Sequence, residues 1–452
     1  MSESEGIDAR PYRAVVTGAA GFIGSHLVEA LLELGHEVVG IDAFTSSYPA
    51  ALKRSNIAAA SAHPCFDLLP ADLNELDLVE VLRPDDVIFH LGGQPGVRAS
   101  WGKDFVDYTR ANIDATQRVL EAARARQAAR IVFASSSSVY GDAPLPMRED
   151  GPLNPVSPYG VTKLTAELLG LVYWKAFGLP VVPLRFFSVY GPRQRPDMAF
   201  NRFIDAIAQG KPIVVFGDGS QRRDFTYVGD VVAALLAAAA HGRPGEPINV
   251  GGGSTVTVAQ SIAIIERRIG RKALIEQNPA PPGDARDTQA ATDRLHALGA
   301  MPRVRIEEGL AQQVAWQLRS MPGQVSRSVV AGAAPTQRAR SGSAPRILLY
   351  SHDTYGLGHL RRNTAIAHGL VQRSPELEVT LLTGSPMAER WPFPDGVSIV
   401  RLPPVVKVGA EEYQPVQARS MSAVRPNGPA SSPLRSCGSD RTSSSWTTPR
   451  SG

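Results

Sequence analysis

The stretch Ala14–Leu27, AVVTGAAGFIGSHL, governs how the rest of the chain is read. Its apolar start, Ala14, Val15 and Val16, reads as a buried strand. Gly18, Gly21 and Gly24 follow at three-residue spacing. An amphipathic helix then begins, with Ile23, Leu27, Leu31 and Leu32 on one face. Strand, glycine turn and helix together bring an anion such as a pyrophosphate to a helix N-terminus. Free backbone N–H groups and the helix dipole favour the charge there, and glycines let the backbone approach closely. The G-x-x-G-x-x-G spacing is one residue wider than the commonest fingerprint of this kind, and glycine-rich turns also occur without any ligand. The residues downstream decide between the two.

Outward from that stretch, apolar runs alternate with helical patterns. Glu37–Asp42, Val87–Leu91, Ile131–Ala134, Val181–Arg185, Ile213–Phe216 and Ile248–Val250 read as strands. Helical patterns lie between them, such as Tyr108–Arg126 with Ile113, Val119 and Leu120 inward, and Ile306–Leu318 closes the series. Near-continuous Val/Ile runs mark parallel strands buried on both faces. The expected fold class is therefore α/β, a Rossmann-type doubly wound parallel sheet. This unit is expected over 11–320, its nucleotide part mainly 11–180 and a smaller substrate-binding α/β part mainly 186–320. Residues 1–10 read as a loose start and 321–345, rich in Gly, Ser, Arg, Ala and Pro, as a linker. A second strand, glycine turn (Gly356, Gly358) and helix begin near Ile347 and give a partial β/α unit over 346–415. Residues 416–452 carry almost no aliphatic pattern and read as disordered.

The 452 residues carry a net charge of +4 from 47 basic and 43 acidic side chains. That balance gives no reason to expect nucleic acid or a membrane surface as partner. Cys65 and Cys437 lie far apart, so a disulfide framework is not expected and a reducing, cytoplasmic setting fits. The N-terminus lacks an apolar core behind a basic start, and the alanine-rich run from Val231 is too short to span a bilayer.

Chemistry gathers between Asp42 and Lys163. Asp42 ends the second strand, where an acid can accept hydrogen bonds from adenosine ribose hydroxyls and would repel a 2′-phosphate, favouring NAD over NADP. Asp72 and Leu73 are candidates to cap the adenine. The serine-rich SSSSVYGD, Ser135–Asp142, follows a parallel strand, at the end where such sheets bind ligands. In SPYGVTK, Ser157–Lys163, Tyr159 and Lys163 are four apart and share one helix face. A nearby ammonium and a cationic nicotinamide would favour the phenolate and make Tyr159 a base near neutrality.

At these residues the chain from about Arg13 to Ser320 resembles an extended short-chain dehydrogenase/reductase, and within that group the nucleotide-sugar 4-epimerases. The motifs are TGAAGFIGSHL, HLGGQPGVRAS, SSSSVYG, SPYGVTK, LRFFSVYGPRQRPDM, FGDGSQRRDFTYVGD, INVGGG and PGDARDT. The resemblance implies NAD on the turn Gly18, Gly21, Phe22, Ile23 and Gly24, with Asn112 near the cofactor. It implies Tyr159 as catalytic base, Lys163 on the nicotinamide ribose and Ser136 as the catalytic serine. Ser138 would be a second polar contact to the sugar, and Arg223 and Arg286 would hold the UDP pyrophosphate. Phe200 and Phe203 are candidates to flank the uracil or to pack a core. Gly92-Gly93-Gln94-Pro95 replaces the family's usual Ala-Ala-Gln-Ala, which would loosen cofactor contacts. A homodimer is implied as well.

The resemblance also separates reaction outcomes. Sugar 4,6-dehydratases carry Thr-Asp-Glu where this chain has Ser136-Ser137-Ser138, and nucleotide-sugar decarboxylases carry a Glu at the place of Ser138. Serine cannot replace a carboxylate in acid/base work at neutral pH. The expected function is a UDP-sugar 4-epimerase of the UDP-glucose/UDP-galactose type, with UDP-glucuronate as the close alternative if Arg193 or Arg195 meets a C6 carboxylate. A non-catalytic nucleotide- or partner-binding protein is the reading from another class. Residues 346 to about 415 resemble the N-terminal lobe of a two-lobed glycosyltransferase, carried by YSHDTYGLGHLRRNTAIA with His359 at the acceptor position. The tail after it reads as out-of-frame or unrelated coding.

Overall fold

Gly18 makes the first turn possible, and the sheet forms around it. The computed structural model describes residues 11–253, 255–279, 283, 285, 287–321, 346–351, 358–374, 377–383, 397–401, 405–407 and 413–415. Strand β1 is Arg13–Thr17. It is followed by β2, Glu37–Ile41; β3, Phe66–Leu69; β4, Val87–His90; β5, Arg130–Ser136; and β6, Val181–Phe186. With Ile248–Val250 these form a seven-stranded parallel sheet, ordered Ile248–Val250, β6, β5, β4, β1, β2, β3. The β5 and β6 strands are buried along their whole length, as the unbroken apolar runs require. The chain moves outward from β1 in both directions. The crevice between β1 and β4, where Thr17 pairs with His90, is the place where such sheets bind ligands.

Helix α1, Phe22–Glu33, packs against the helix Val228–His241 on one face of the sheet. The helices Ala115–Arg126 and Pro158–Phe177 cover the other, where Leu120, Ile131 and Ala166 are buried together. Two features differ from the sequence expectation. Strand β3 is an edge strand with only Phe66 fully buried, so it lacks the apolar run that marks the others. Ile213–Phe216 extends to Pro212–Phe216 and lies outside the main sheet, paired in parallel with Leu274–Asn278. It belongs to the substrate part, together with the three-stranded sheet Ser188–Tyr190, Arg222–Tyr227 and Thr255–Thr257. Phe200 and Phe203 are buried in this part, with Phe200 4.6 Å from the Phe225 ring. Of their two readings, core packing is the one observed.

The chain divides into two compact units, Met1–Ala334 and Pro335–Gly452. In the second, Arg346–Ser351, Glu378–Thr383 and Val397–Arg401 form a parallel three-stranded sheet with the helix Gly358–Arg373 between the first two strands. Gly356, the His359 side chain, Cys437 and nearly all of the linker and tail lie outside the described residues. Among the described residues no helix is long and apolar enough to cross a membrane, and no cluster of His, Cys, Asp and Glu could hold a metal.

Candidate active site

The glycine turn closes on itself. Gly18 has φ +70° and donates its N–H to the Ile41 carbonyl at 2.8 Å. A Cβ at Gly24 would stand 2.1 Å from the Gly18 carbonyl oxygen, so only glycine lets α1 pack onto the turn. Helix α1 begins at Phe22 with Gly21 as N-cap and no side-chain cap, so no side chain of the helix competes for its leading N–H groups. Phe22 itself turns into the core.

Asp42 is buried at the end of β2. Its Oδ2 accepts from Ala20 N–H at 3.1 Å and its Oδ1 from Phe44 N–H at 2.8 Å, with Lys53 Nζ 3.7 Å away. A carboxylate offers about four lone-pair sites, so acceptor capacity remains for ribose hydroxyls. The Tyr48 hydroxyl is buried without a hydrogen-bond partner among the described residues, and the charge of Asp42 reaches it. An uncapped helix, a spare carboxylate face and an orphaned buried hydroxyl together fit a dinucleotide. Leu73 is buried, its Cδ1 3.4 Å from where a Gly92 Cβ would stand. Asp72 is engaged by Arg110 at 3.0 Å and by Asn74 N–H at 2.9 Å.

Asn112 sits in a π-helical turn, Arg110–Asp114, inside what the sequence suggests is one continuous helix. Its Oδ1 accepts from Gln94 N–H at 2.8 Å, and its Nδ2 donates to the Gln94 carbonyl and the Thr162 hydroxyl, both at 3.0 Å. Its amide is thus engaged in tying the Gly92–Gly96 loop to the helix that carries Tyr159. A Cβ at Gly93 would lie 2.7 Å from Asn112 Oδ1. The Gly-Gly-Gln-Pro departure therefore fits a closely bound loop, with the Tyr108 hydroxyl also donating to the Pro95 and Gly96 carbonyls. His90 adds a buried link, Thr17 Oγ1 at 2.8 Å on Nδ1 and Thr116 Oγ1 at 3.0 Å on Nε2. Burial, and then the charge of Lys163, push His90 down to about 3, so it is neutral.

Ser157 caps the helix Pro158–Phe177 through Gly160 N–H at 3.1 Å. A Cβ at Gly160 would stand 2.5 Å from the Ser138 carbonyl, so the glycine lets the first turn lie against the serine loop. Tyr159 faces Ser136 there. Burial raises its phenol above the usual value, opposed by the hydrogen bond with Ser136 and the charge of Arg195. Ser136 Oγ accepts from Ser138 N–H at 3.1 Å. Lys163 is 7 % exposed, its Nζ 4.8 Å from the Phe133 ring centroid. Burial lowers it to about 8, with Glu167 pulling the other way. Tyrosine, lysine and serine thus gather near the carboxyl end of β5.

The model of the NAD dependent epimerase/dehydratase family matches residues 14–251. The chain belongs to that family. It is 45 % identical over 309 residues to the uncharacterized UDP-glucose epimerase YtcB of Bacillus subtilis, covering 67 % of this chain and 97 % of that one. It is 37 % identical over 310 residues to the UDP-glucuronate 4-epimerase of Thermodesulfobacterium geofontis, covering 67 % and 95 %. Among solved structures it is similar to UDP-glucuronic acid 4-epimerase from Bacillus cereus in complex with UDP-glucuronic acid and NAD. The identity is 42 %, the TM-score 0.67, and the coverage 68 % of this chain and 100 % of that one.

Within this NAD-dependent epimerase/dehydratase, a buried network missing from the sequence reading stands behind the site. Glu167, one turn after Lys163, is fully buried and pairs with Arg185, Nη2 to Oε1 at 2.6 Å. Ser135 Oγ donates to Glu167 at 2.5 Å, and Arg185 Nη1 donates to the Tyr140 hydroxyl at 2.7 Å, which donates to Asn249 at 2.7 Å. The Arg in LRFF and the Glu at four after Lys163 were the available signals, since a charge in a buried strand needs a partner.

Arg223 lies on Arg222–Tyr227, and Arg286 lies outside the described residues. Ser138 is partly exposed at the end of β5. Arg98 stacks on Phe216 at 4.0 Å, joining the nucleotide and substrate parts. Of the two arginines considered for a carboxylate, Arg193 is turned to α1, where it pairs with Glu29 at 2.6 Å. The charge of Arg195 reaches Tyr159, Tyr108 and Tyr48 and favours the ionised form of each, with Asp197 opposing it at Tyr108 and Tyr48. Its Nε and Nη2 pair with Asp197 at 2.9 and 2.8 Å, which leaves Nη1 as a donor.

Proposed function

We propose that this chain inverts C4 of a UDP-sugar, with UDP-glucuronate as the substrate the site supports best. The observation that carries the choice is Arg195. Its charge reaches Tyr159, and a guanidinium in reach of the sugar would suit a C6 carboxylate. UDP-glucose/UDP-galactose is the second reading. It is favoured by the relative named for UDP-glucose and by Asp197, which already neutralises Arg195.

Bound NAD would supply the acceptor, and then the donor, of the C4 hydride. The glycine turn, the uncapped end of α1, Asp42 and Lys163 would hold it. Tyr159 takes the proton of the C4 hydroxyl while the C4–H bond breaks, and gives it back to the same oxygen once the 4-keto sugar has turned its other face. Ser136 holds that oxygen in place. Because burial raises the Tyr159 phenol, its ionisation depends on cationic neighbours. Arg195 is one whose charge reaches the phenol, and Lys163, protonated below about 8, shares the helix face of Tyr159. Ser137 and Ser138 offer no carboxylate, so the keto sugar has no acid/base pair to eliminate water.

The exposed Val161, Leu168 and Val172 form one stripe on the helix Pro158–Phe177, close in sequence to the catalytic pair. We propose this stripe as a homodimer contact; a monomer by light scattering would overturn it. The second unit has the parallel β–α–β order that the opening of a glycosyltransferase lobe needs, and we read it as partial. Sugar transfer to an acceptor by the full chain would refute that.

The test is turnover of NAD-loaded protein with UDP-glucuronate and UDP-glucose. Arg195→Ala should lower kcat/KM for UDP-glucuronate about tenfold or more, the scale of one charged hydrogen bond, and change UDP-glucose less. An equal loss for both sugars would overturn the choice of glucuronate. Conversion of neither sugar would overturn the epimerase assignment.

A further inference from the structure

Three successive side chains of the GPRQRPDM loop go to three different places. Arg193 grips the first turns of α1: its Nη2 donates to Glu29 at 2.6 Å, and its Nη1 lies 3.3 Å from both Ser25 Oγ and His26 Nδ1. Ser25 N–H in turn closes the start of α1 on the Gly21 carbonyl at 3.1 Å. Gln194 is buried in the substrate part. Its Oε1 accepts from Asn201 N–H at 3.0 Å and Gln313 at 2.8 Å, and its Nε2 donates to the Val189 carbonyl at 3.1 Å. Arg195 pairs with Asp197 at 2.8 Å, and its charge reaches Tyr159. Arg193 has φ +64°, a left-handed conformation that an arginine keeps only when its surroundings over-determine it.

We propose that Arg193 is a positioning residue: its Glu29 pair registers the loop that bears Arg195 on the very helix whose N-terminus carries the glycine turn. The proposal rests on the reading of Arg195 as the group that meets the sugar. Its consequence is specific. Loosening the strap weakens the hold on the sugar, so KM rises; the charge of Arg195 also reaches Tyr159, so kcat falls, by less than KM rises. Tyr159, Lys163 and Ser136 are held by other elements and keep their geometry.

The experiment uses full-length, NAD-loaded protein carrying Arg193→Gln, Glu29→Gln or both. Glu29 is partly exposed on α1, so its variant keeps the core intact. Each single variant should raise KM about five- to tenfold, with kcat falling by less than KM rises and NAD content unchanged. The double variant should be no worse than the worse single, because both remove one interaction. An unmoved KM, NAD lost in step with KM, or effects that multiply in the double variant would each overturn the strap. KM is read with whichever UDP-sugar the wild type turns over. A wild type active only on UDP-glucose refutes the glucuronate reading and leaves the strap to its own KM. If neither sugar turns over, the Kd for each from calorimetry takes the place of KM.

Discussion

Replacing Lys163 by methionine should stabilise the NAD-free protein while ending its turnover. Burial holds the ammonium at about 8 against an ordinary 10.5. At about 1.36 kcal/mol per pKa unit, keeping that charge inside costs roughly 3 kcal/mol at pH 7. Methionine has a similar length and no charge. It forfeits the contact of the ammonium with the Phe133 ring, about 1 kcal/mol, so the net gain should be about 2 kcal/mol. The pH dependence follows from the sign of the shift. Between about pH 8 and 10.4 the unfolded chain keeps the proton that the folded protein has released, so wild-type stability rises with pH across that window. The advantage of the variant is full below pH 8 and gone above about 10.4. Urea midpoints at pH 7 and pH 10, compared between the two proteins, measure it. A variant no more stable than wild type at pH 7, or one whose advantage persists at pH 10, refutes the reasoning. Loss of turnover is expected at every pH, because NAD then loses the ammonium that would hold it and Tyr159 loses a cation on its own helix face.

Tyr159→Phe removes the base and leaves the pocket, so turnover should fall about a thousandfold while calorimetry finds UDP-sugar affinity within a few-fold of wild type. Activity within tenfold of wild type would assign the base elsewhere. Glu167→Gln leaves the Arg185 guanidinium buried and unpaired, and should cost about 3 kcal/mol or more in denaturant unfolding. Glu167→Gln with Arg185→Met should recover part of that; a loss below about 1 kcal/mol in the single variant would show that the pair is not a buried charge pair.

Much of the fold was legible because a parallel sheet buried on both faces needs unbroken apolar strands. Val87–His90 and Val181–Phe186 are found as their Val/Ile runs suggest. Phe66–Leu69 was not legible, because an edge strand needs only one buried residue to hold its place. The π turn around Asn112 was hidden for another reason. Its five-residue register leaves no mark in a helical apolar pattern, and what selects it is the hold of Asn112 on Gln94 and Thr162. Phe200 and Phe203 had two readings because an aromatic pair after a loop looks alike in a core and in a binding wall.

Within the stretch Ala14–Leu27 the strand, the turn and the helix were all readable from the residues, since each follows from local backbone preference and apolar spacing. The spacing of Tyr159 and Lys163 likewise put them on one helix face. Which charges meet is settled by the folded chain alone. Arg193 and Arg195 are two residues apart with the same chemistry, yet one is held by Glu29 on α1 and the other by Asp197, with its charge reaching Tyr159. Electrostatic partners are set by distance in space, and two loop residues carry no periodicity from which that distance can be read.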